Sequence, residues 1–243
     1  MYEEWKQICN DIVTNKIENW KTLPKVTTIL EHLSFESALI YLKNLLNEND
    51  VDADMIERIC KENDKFGGTN RSIFLNTLKI STSSIRYFRH AYDICKLIKA
   101  KKFDNVTIIE VGGGYGGLCV ILNLMAKHYE ITISNYHIYD LPEIQSLQQY
   151  YLSNFDTVKV TYNSAFTFGS DFTSIQSNNI LISNYCLSEI NDEYKHQYLK
   201  NLIPKVKGAY LAWNWGDKKG LPSIRREVPE IPDTGNGNTI ITW

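Results

Sequence analysis

Glu110-Val111-Gly112-Gly113-Gly114-Tyr115-Gly116-Gly117 follows directly on the β-branched apolar run Val106-Thr107-Ile108-Ile109 and leads into Leu118 to Ala126, an apolar stretch of helical character. A strand that ends in an acid, breaks into glycines and passes into a helix has the form of a nucleoside-binding loop. Glycine suits such a loop because side chains would hold the backbone away from a ligand and would disfavour positive φ angles. The plain alternative is a glycine-rich strand-to-helix turn that holds nothing.

The glycines alone leave the ligand open. Gly112, Gly114 and Gly117 also satisfy the G-x-G-x-x-G pattern of dinucleotide sites, with Asp140 where a ribose-binding acid would stand, so a nicotinamide oxidoreductase is the second reading. Charge separates the two. A dinucleotide would bring an anionic pyrophosphate beside Glu110, two residues before the first glycine, and the carboxylate would repel it. S-adenosyl-L-methionine carries no phosphate; its sulfonium and ammonium suit Glu110, and its carboxylate suits loop N–H groups. The expected cofactor contacts therefore include Glu110, Gly112, Gly113, Gly114, Tyr115 and Gly116. A second cluster, His137-Ile138-Tyr139-Asp140-Leu141-Pro142-Glu143, reads as a strand end followed by a proline-led helix. Asp140 at that end can accept both ribose hydroxyls, with Leu141 beside it; its bland alternative is a helix cap.

A chain of 243 residues can bury a full core, and its formal charge of −2 argues against a nucleic-acid partner. Lys96, Lys99, Lys101 and Lys102 fall where a helix should end, which accounts for them by the helix dipole. The five cysteines are scattered, without C-x-x-C or metal-finger spacing, and the histidines show no ligand spacing. No metal site is expected, although a divalent cation assisting the reaction is not excluded by chemistry. With no apolar leader and no membrane-length segment, the expectation is a soluble cytoplasmic protein with no membrane partner.

Residues 1–100 show helical spacing, as in Leu39, Leu42, Leu45 and Leu46, and Asp52 or Asp54 can start a helix containing Met55, Ile56 and Ile59. They are read as a helical lobe that covers the acceptor or forms a homodimer contact. Residues 101–243 are read as the cofactor domain. Strands and helices alternate there: Val106 to Val111, Gly117 to Lys127, Tyr136 to Tyr139, Pro142 to Leu152, Val158 to Tyr162, Ile180 to Ser183, Asp192 to Leu202 and Ala209 to Asn214. This predicts an α/β fold with a mostly parallel sheet and ligands at the strands' carboxyl ends. Thr239 to Trp243 reads as a last strand.

Ser183-Asn184-Tyr185-Cys186-Leu187-Ser188-Glu189, Ile85-Arg86-Tyr87, Asp140-Leu141-Pro142-Glu143 and Pro232-Asp233-Thr234-Gly235-Asn236-Gly237-Asn238, taken with the glycine loop, resemble the bacterial sugar O-methyltransferase family. That family combines S-N-x-x-x-S-E, L-R-Y and D-L-P-E segments. The resemblance runs from about Asp64 to the C-terminus; Ile85 replaces the leucine, and Phe66-Gly67-Gly68-Thr69 replaces F-G-N-P. It implies a class I, Rossmann-like methyltransferase fold with seven strands, the last antiparallel, and methyl transfer to a sugar hydroxyl of a glycan or nucleotide-linked sugar, with another small-molecule hydroxyl as the alternative.

A sugar hydroxyl needs a base or a metal to become a nucleophile. Glu189 is the first choice, just past the fourth strand and inside the family-like segment, with capping of the next helix as its alternative. His196 is the second titratable candidate, inside a predicted helix where a solvated face explains it. By analogy with the fold, Asn163 and Ser164 would meet the adenine and Asn184 and Tyr185 the methionine portion. Arg86 would pair with the cofactor carboxylate or with a surface acid. The cluster Trp213-Asn214-Trp215 would offer a sugar ring a flat face and a polar handle, with core packing as the alternative for each tryptophan, and Asn236 completes the acceptor set.

Overall fold

The computed structural model describes residues 2–155, 159–165 and 178–243, and the chain folds into two compact units. The first residue of the strand expected from Val158 lies outside the described residues. One unit comprises residues 1–95, 114–129 and 142–158; the other comprises 96–113, 130–141 and 159–243. The helices that follow the glycine loop and the D-L-P-E segment thus cluster with the N-terminal helices.

The helical unit contains α1 (Tyr2–Asn15), α2 (Pro24–Ile29), α3 (Phe35–Leu46), α4 (Ala53–Asn63), a hairpin of β1 (Ser72–Phe74) and β2 (Leu78–Ile80), most of α5 (Thr82–Ala100), α6 (Gly117–His128) and α7 (Pro142–Leu152). Asp52 starts α4 as expected, its carboxylate accepting the Met55 N–H at 2.7 Å. Ser81 does the same for α5, accepting from Ser84 N–H at 3.1 Å, so Ile85-Arg86-Tyr87 falls inside that helix. The core of this unit holds a buried cation. Lys21 Nζ donates to the Asn63 carbonyl at 2.7 Å and lies 4.4 Å from the Tyr115 ring centre and 4.7 Å from that of Tyr151. The rings offer their negative faces in place of water, yet burial still pulls the amine down to about 8.

The other unit is built on a seven-stranded sheet. Its strands are β3 (Asn105–Val111), β4 (Thr132–Asp140), β5 (Val160–Ser164), β6 (Asn179–Asn184), β7 (Gly208–Trp213), β8 (Arg226–Pro229) and β9 (Thr239–Thr242), in the order β5-β4-β3-β6-β7-β9-β8. The pairings from β5 to β7 are parallel, and β9 runs antiparallel to both β7 and β8. This is the Rossmann-like sheet of class I methyltransferases, and the antiparallel last strand matches expectation. β8 completes the seven but is not expected from the sequence: Arg-Glu-Val-Pro carries too much charge, and a proline, to read as a strand.

β3 is buried from Val106 onward, as a central parallel strand must be. One face of the sheet is covered by α9 (Asp192–Asn201) and the turn after it, through Tyr198, Leu199, Leu202 and Ile203 packed with Ile109, Leu181, Leu211 and Ile241. Burying such side chains stabilises by roughly 1.5–3 kcal/mol each. The direction of strand addition reverses between β3 and β6, which opens a crevice at their carboxyl ends where ligands bind in sheets of this kind.

Candidate cofactor and acceptor site

At that reversal the chain leaves β3 through Gly112, whose φ is +77°. The Gly112 N–H donates to the Tyr139 carbonyl at 3.0 Å, holding the loop to β4. A Cβ on Gly112 would lie 2.2 Å from Cys186 Cβ and 2.3 Å from its Sγ. The loop after β3 and the short helix α8 (Cys186–Glu189) after β6 therefore meet with no room for a side chain. Ser183 ties the same ends together: its hydroxyl donates to the Val111 carbonyl at 2.8 Å and accepts the Leu187 N–H at 3.0 Å. Cys186 is partly buried and packs against the core, and burial pushes its thiol well up.

Asp140 ends β4 with its carboxylate nearly buried, 8 % exposed. Oδ2 accepts the Gly113 N–H at 3.0 Å and Oδ1 accepts the Leu141 N–H at 2.9 Å. A carboxylate oxygen accepts more than one hydrogen bond, so bonds to the backbone do not by themselves close the group to a ligand. Asp140 is opposite Ser164 and Tyr139 opposite Asn163 across the β4–β5 ladder. Asn163 Nδ2 donates to the Thr161 carbonyl at 3.2 Å and lies 3.4 Å from His137 Nδ1.

Glu110 is 2 % exposed and accepts a hydrogen bond from the Tyr136 hydroxyl at 2.9 Å. Burial pushes its carboxyl up to about 8, against the lowering effect of Tyr136 and with a further push from Asp140. At neutral pH Glu110 therefore holds its proton, so the repulsion of a pyrophosphate expected from its charge is weaker than the sequence suggests. The folded chain keeps a proton that the unfolded chain releases above about pH 4.5; stability from this group is present in acid and lost as pH rises through about 8. Glu110→Gln is expected to flatten this loss. Urea-unfolding midpoints of the two proteins from about pH 5 to about pH 9 measure it, and parallel curves would rule it out.

The segment after β6 forms a connected network. Asn184 ends the strand, and both its Nδ2 and Oδ1 are buried without a hydrogen-bond partner. Tyr185 follows at φ +67°, a strained backbone for a residue with a Cβ. Its hydroxyl donates to Glu230 Oε1 at 2.5 Å. Glu230, 3 % exposed, also accepts from Thr234 Oγ1 at 2.7 Å and Asn238 Nδ2 at 2.9 Å, and so organises the loop between β8 and β9. Asn236 is exposed at the tip of that loop with φ +60°.

Ser188 Oγ lies 2.6 Å from the Tyr185 carbonyl and also contacts Asn214 Oδ1. Asn214 Nδ2 donates to Glu189 Oε1, which joins the end of β7 to an exposed carboxylate. Glu189 and Asn214 are thus brought together from two strands. His196 is exposed midway along α9. Trp213 is 1 % exposed within the core, so it cannot offer a sugar an open face; as the last residue of a strand buried on both sides it packs instead. The exposed indole of that cluster belongs to Trp215, 63 % exposed.

In the helical unit, Tyr115 is fully buried, donates to Glu31 Oε1 at 2.9 Å and accepts from Asn63 Nδ2 at 3.2 Å. Its ring is committed to that core. Gly114 and Gly116 flank it at φ +55° and +99°. Arg86 is 5 % exposed on α5 and donates to the Leu30 carbonyl at 3.1 Å. Among the described residues no group of acids, histidines and cysteines could hold a metal ion, and no helix is long and apolar enough to cross a membrane.

No protein-family model matches the chain, and no curated protein does. Solved structures similar to it are S-adenosylmethionine-dependent methyltransferases. The methyltransferase domain of bacterial CtHen1 aligns at 11 % identity and a TM-score of 0.48, covering 65 % of this chain and 97 % of its own. An S-adenosylmethionine-dependent methyltransferase from Clostridium acetobutylicum aligns at 13 % and 0.39, covering 53 % and 50 %. CalS10, an amino pentose methyltransferase from Micromonospora echinaspora solved with bound S-adenosylmethionine, aligns at 13 % and 0.37, covering 64 % and 61 %. The fold assignment rests on the chain's own strand order.

Proposed function

We propose that the chain is an S-adenosyl-L-methionine-dependent O-methyltransferase acting on a sugar hydroxyl of a glycan or small-molecule acceptor. The observation that carries the reading is Asp140. Its two carboxylate oxygens accept the Gly113 and Leu141 N–H groups at the carboxyl end of β4, the position from which a carboxylate binds the hydroxyls of a ribose. The unpartnered Asn184 amide, one donor and one acceptor at the end of β6, fits the ammonium and carboxylate of a methionine moiety. Glu110 would lie toward the cation, which would draw its proton off. Asn163 and Ser164, on the far side of Asp140, suit the adenine, with Leu141 as an apolar neighbour.

When bound, S-adenosylmethionine supplies an electrophilic methyl group on a sulfonium. The protein's part is to align the acceptor oxygen, remove its proton and exclude water. Glu189 is the proton acceptor in this reading. Its carboxylate is exposed, and Asn214 donates to one of its oxygens and orients it.

Two experiments test the reading. Calorimetry with S-adenosylhomocysteine against NADH should give binding with the first alone; binding of NADH alone would replace the assignment with hydride transfer. For Glu189→Gln, methyl transfer to a panel of nucleotide sugars and free monosaccharides should slow about 100-fold or more, with S-adenosylhomocysteine affinity unchanged. Near-normal turnover would remove Glu189 from proton transfer.

A further inference from the structure

Trp215 stands one residue past Asn214 on a turn that is tied down at every point. The Trp215 N–H donates to Asn214 Oδ1 at 3.0 Å, and the Gly216 carbonyl lies 3.4 Å from Trp213 Nε1. Gly216 takes φ +97°, and a Cβ there would approach the Ser188 carbonyl at 3.2 Å. The turn is thus clamped against α8 and against the core indole of Trp213. None of these contacts uses the side chain of residue 215, which the fold would accept as any residue. Yet it is a tryptophan with 63 % of its surface in water, on backbone that cannot fold it away. Tryptophan combines a large apolar face with a polar edge, and a fixed turn holds its backbone in place.

The amide of Asn214 links this indole to chemistry. Its oxygen holds the Trp215 backbone and its nitrogen holds the Glu189 carboxylate, so one side chain fixes both groups. An aromatic residue whose backbone is held by the same amide that holds a carboxylate puts on one turn the groups that suit a ligand with a C–H face and a hydroxyl-bearing edge. A pyranose ring has that form. Resting on the sugar methyltransferase reading above, we infer that Trp215 is the acceptor platform, on which a pyranose stacks its C–H face while one of its hydroxyls reaches Glu189.

The test uses the full chain and the acceptor panel of nucleotide sugars and monosaccharides. Trp215→Ala should raise the acceptor KM about 10-fold, with a smaller effect on kcat and no change in S-adenosylhomocysteine affinity or Tm. Trp215→Phe, which keeps an aromatic face, should recover most of the loss, and Trp215→Leu should not. An unchanged KM in Trp215→Ala, or equal recovery by leucine, overturns the platform while leaving the methyltransferase reading standing. Transfer by the wild-type protein to non-sugar hydroxyls alone overturns the sugar reading and the platform together.

Discussion

Asp140→Ala is expected to weaken S-adenosylhomocysteine binding by at least about 100-fold. Hydrogen bonds to a charged group contribute roughly 1.5–3 kcal/mol each, and two ribose hydroxyls are lost at once, at a factor of ten per 1.4 kcal/mol. The effect exceeds simple removal of two contacts. Asp140 also receives the Gly113 and Leu141 N–H groups, so the variant leaves two backbone donors without acceptors beside the crevice and lets the loop after β3 shift. Asp140→Asn is no neutral control, since its NH2 group must face one of those N–H donors. Calorimetry measures the affinity and thermal unfolding separates it from stability. Affinity within about threefold of wild type would show that the ribose is held elsewhere and would remove the central support for the cofactor.

How far the chain's structure is legible depends on which force decides each element. β3 can be read directly because hydrophobic burial decides it, and every residue from Val106 to Val111 is buried. β4 begins earlier than its apolar pattern indicates, at Thr132, because pairing with Asn105 and Val106 extends it through the polar residues Ser134 and Asn135. The hairpin of β1 and β2 gives no glycine signal: its turn uses Leu75 and Asn76 at φ +49° and +65°. β8 pairs only with β9 at the sheet edge, where charge and Pro229 are tolerated and a strand pattern is not required.

The site follows the same division. Asp140 and Asn184 stand at the ends of β4 and β6, as the strand patterns indicate. The joint between Glu189 and Asn214 is invisible in one dimension, because 25 residues separate partners that meet only once β6 and β7 pair. Trp213 and Trp215 differ because alternation holds only while the strand lasts. Trp213 is the final strand residue and packs inward; two residues later the chain has turned at Gly216, and parity no longer predicts burial.

Gly112→Ala is expected to destabilise the folded protein by about 2–5 kcal/mol. Two costs combine: a Cβ in left-handed backbone costs roughly 1–2 kcal/mol, and forcing extra volume into a packed contact costs typically 1–3 kcal/mol. The sequence suggests that this glycine is required by the ligand. The structure gives a reason that needs no ligand, since the new methyl would overlap Cys186 at 2.2 Å and the overlap cannot be relieved by a rotamer change at Cβ. Separation of α8 from the loop after β3 would follow, pulling on the bonds from Ser183 to Val111 and Leu187. The two costs can be resolved with a second substitution. Cys186→Gly removes the atoms in the way but leaves the φ of +77° untouched, so in that background Gly112→Ala should cost only the conformational part, about 1–2 kcal/mol. Equilibrium urea unfolding of the four proteins measures the difference. If Gly112→Ala costs the same in both backgrounds, the Cys186 contact is not what excludes the methyl group, and the glycine is held by backbone conformation alone.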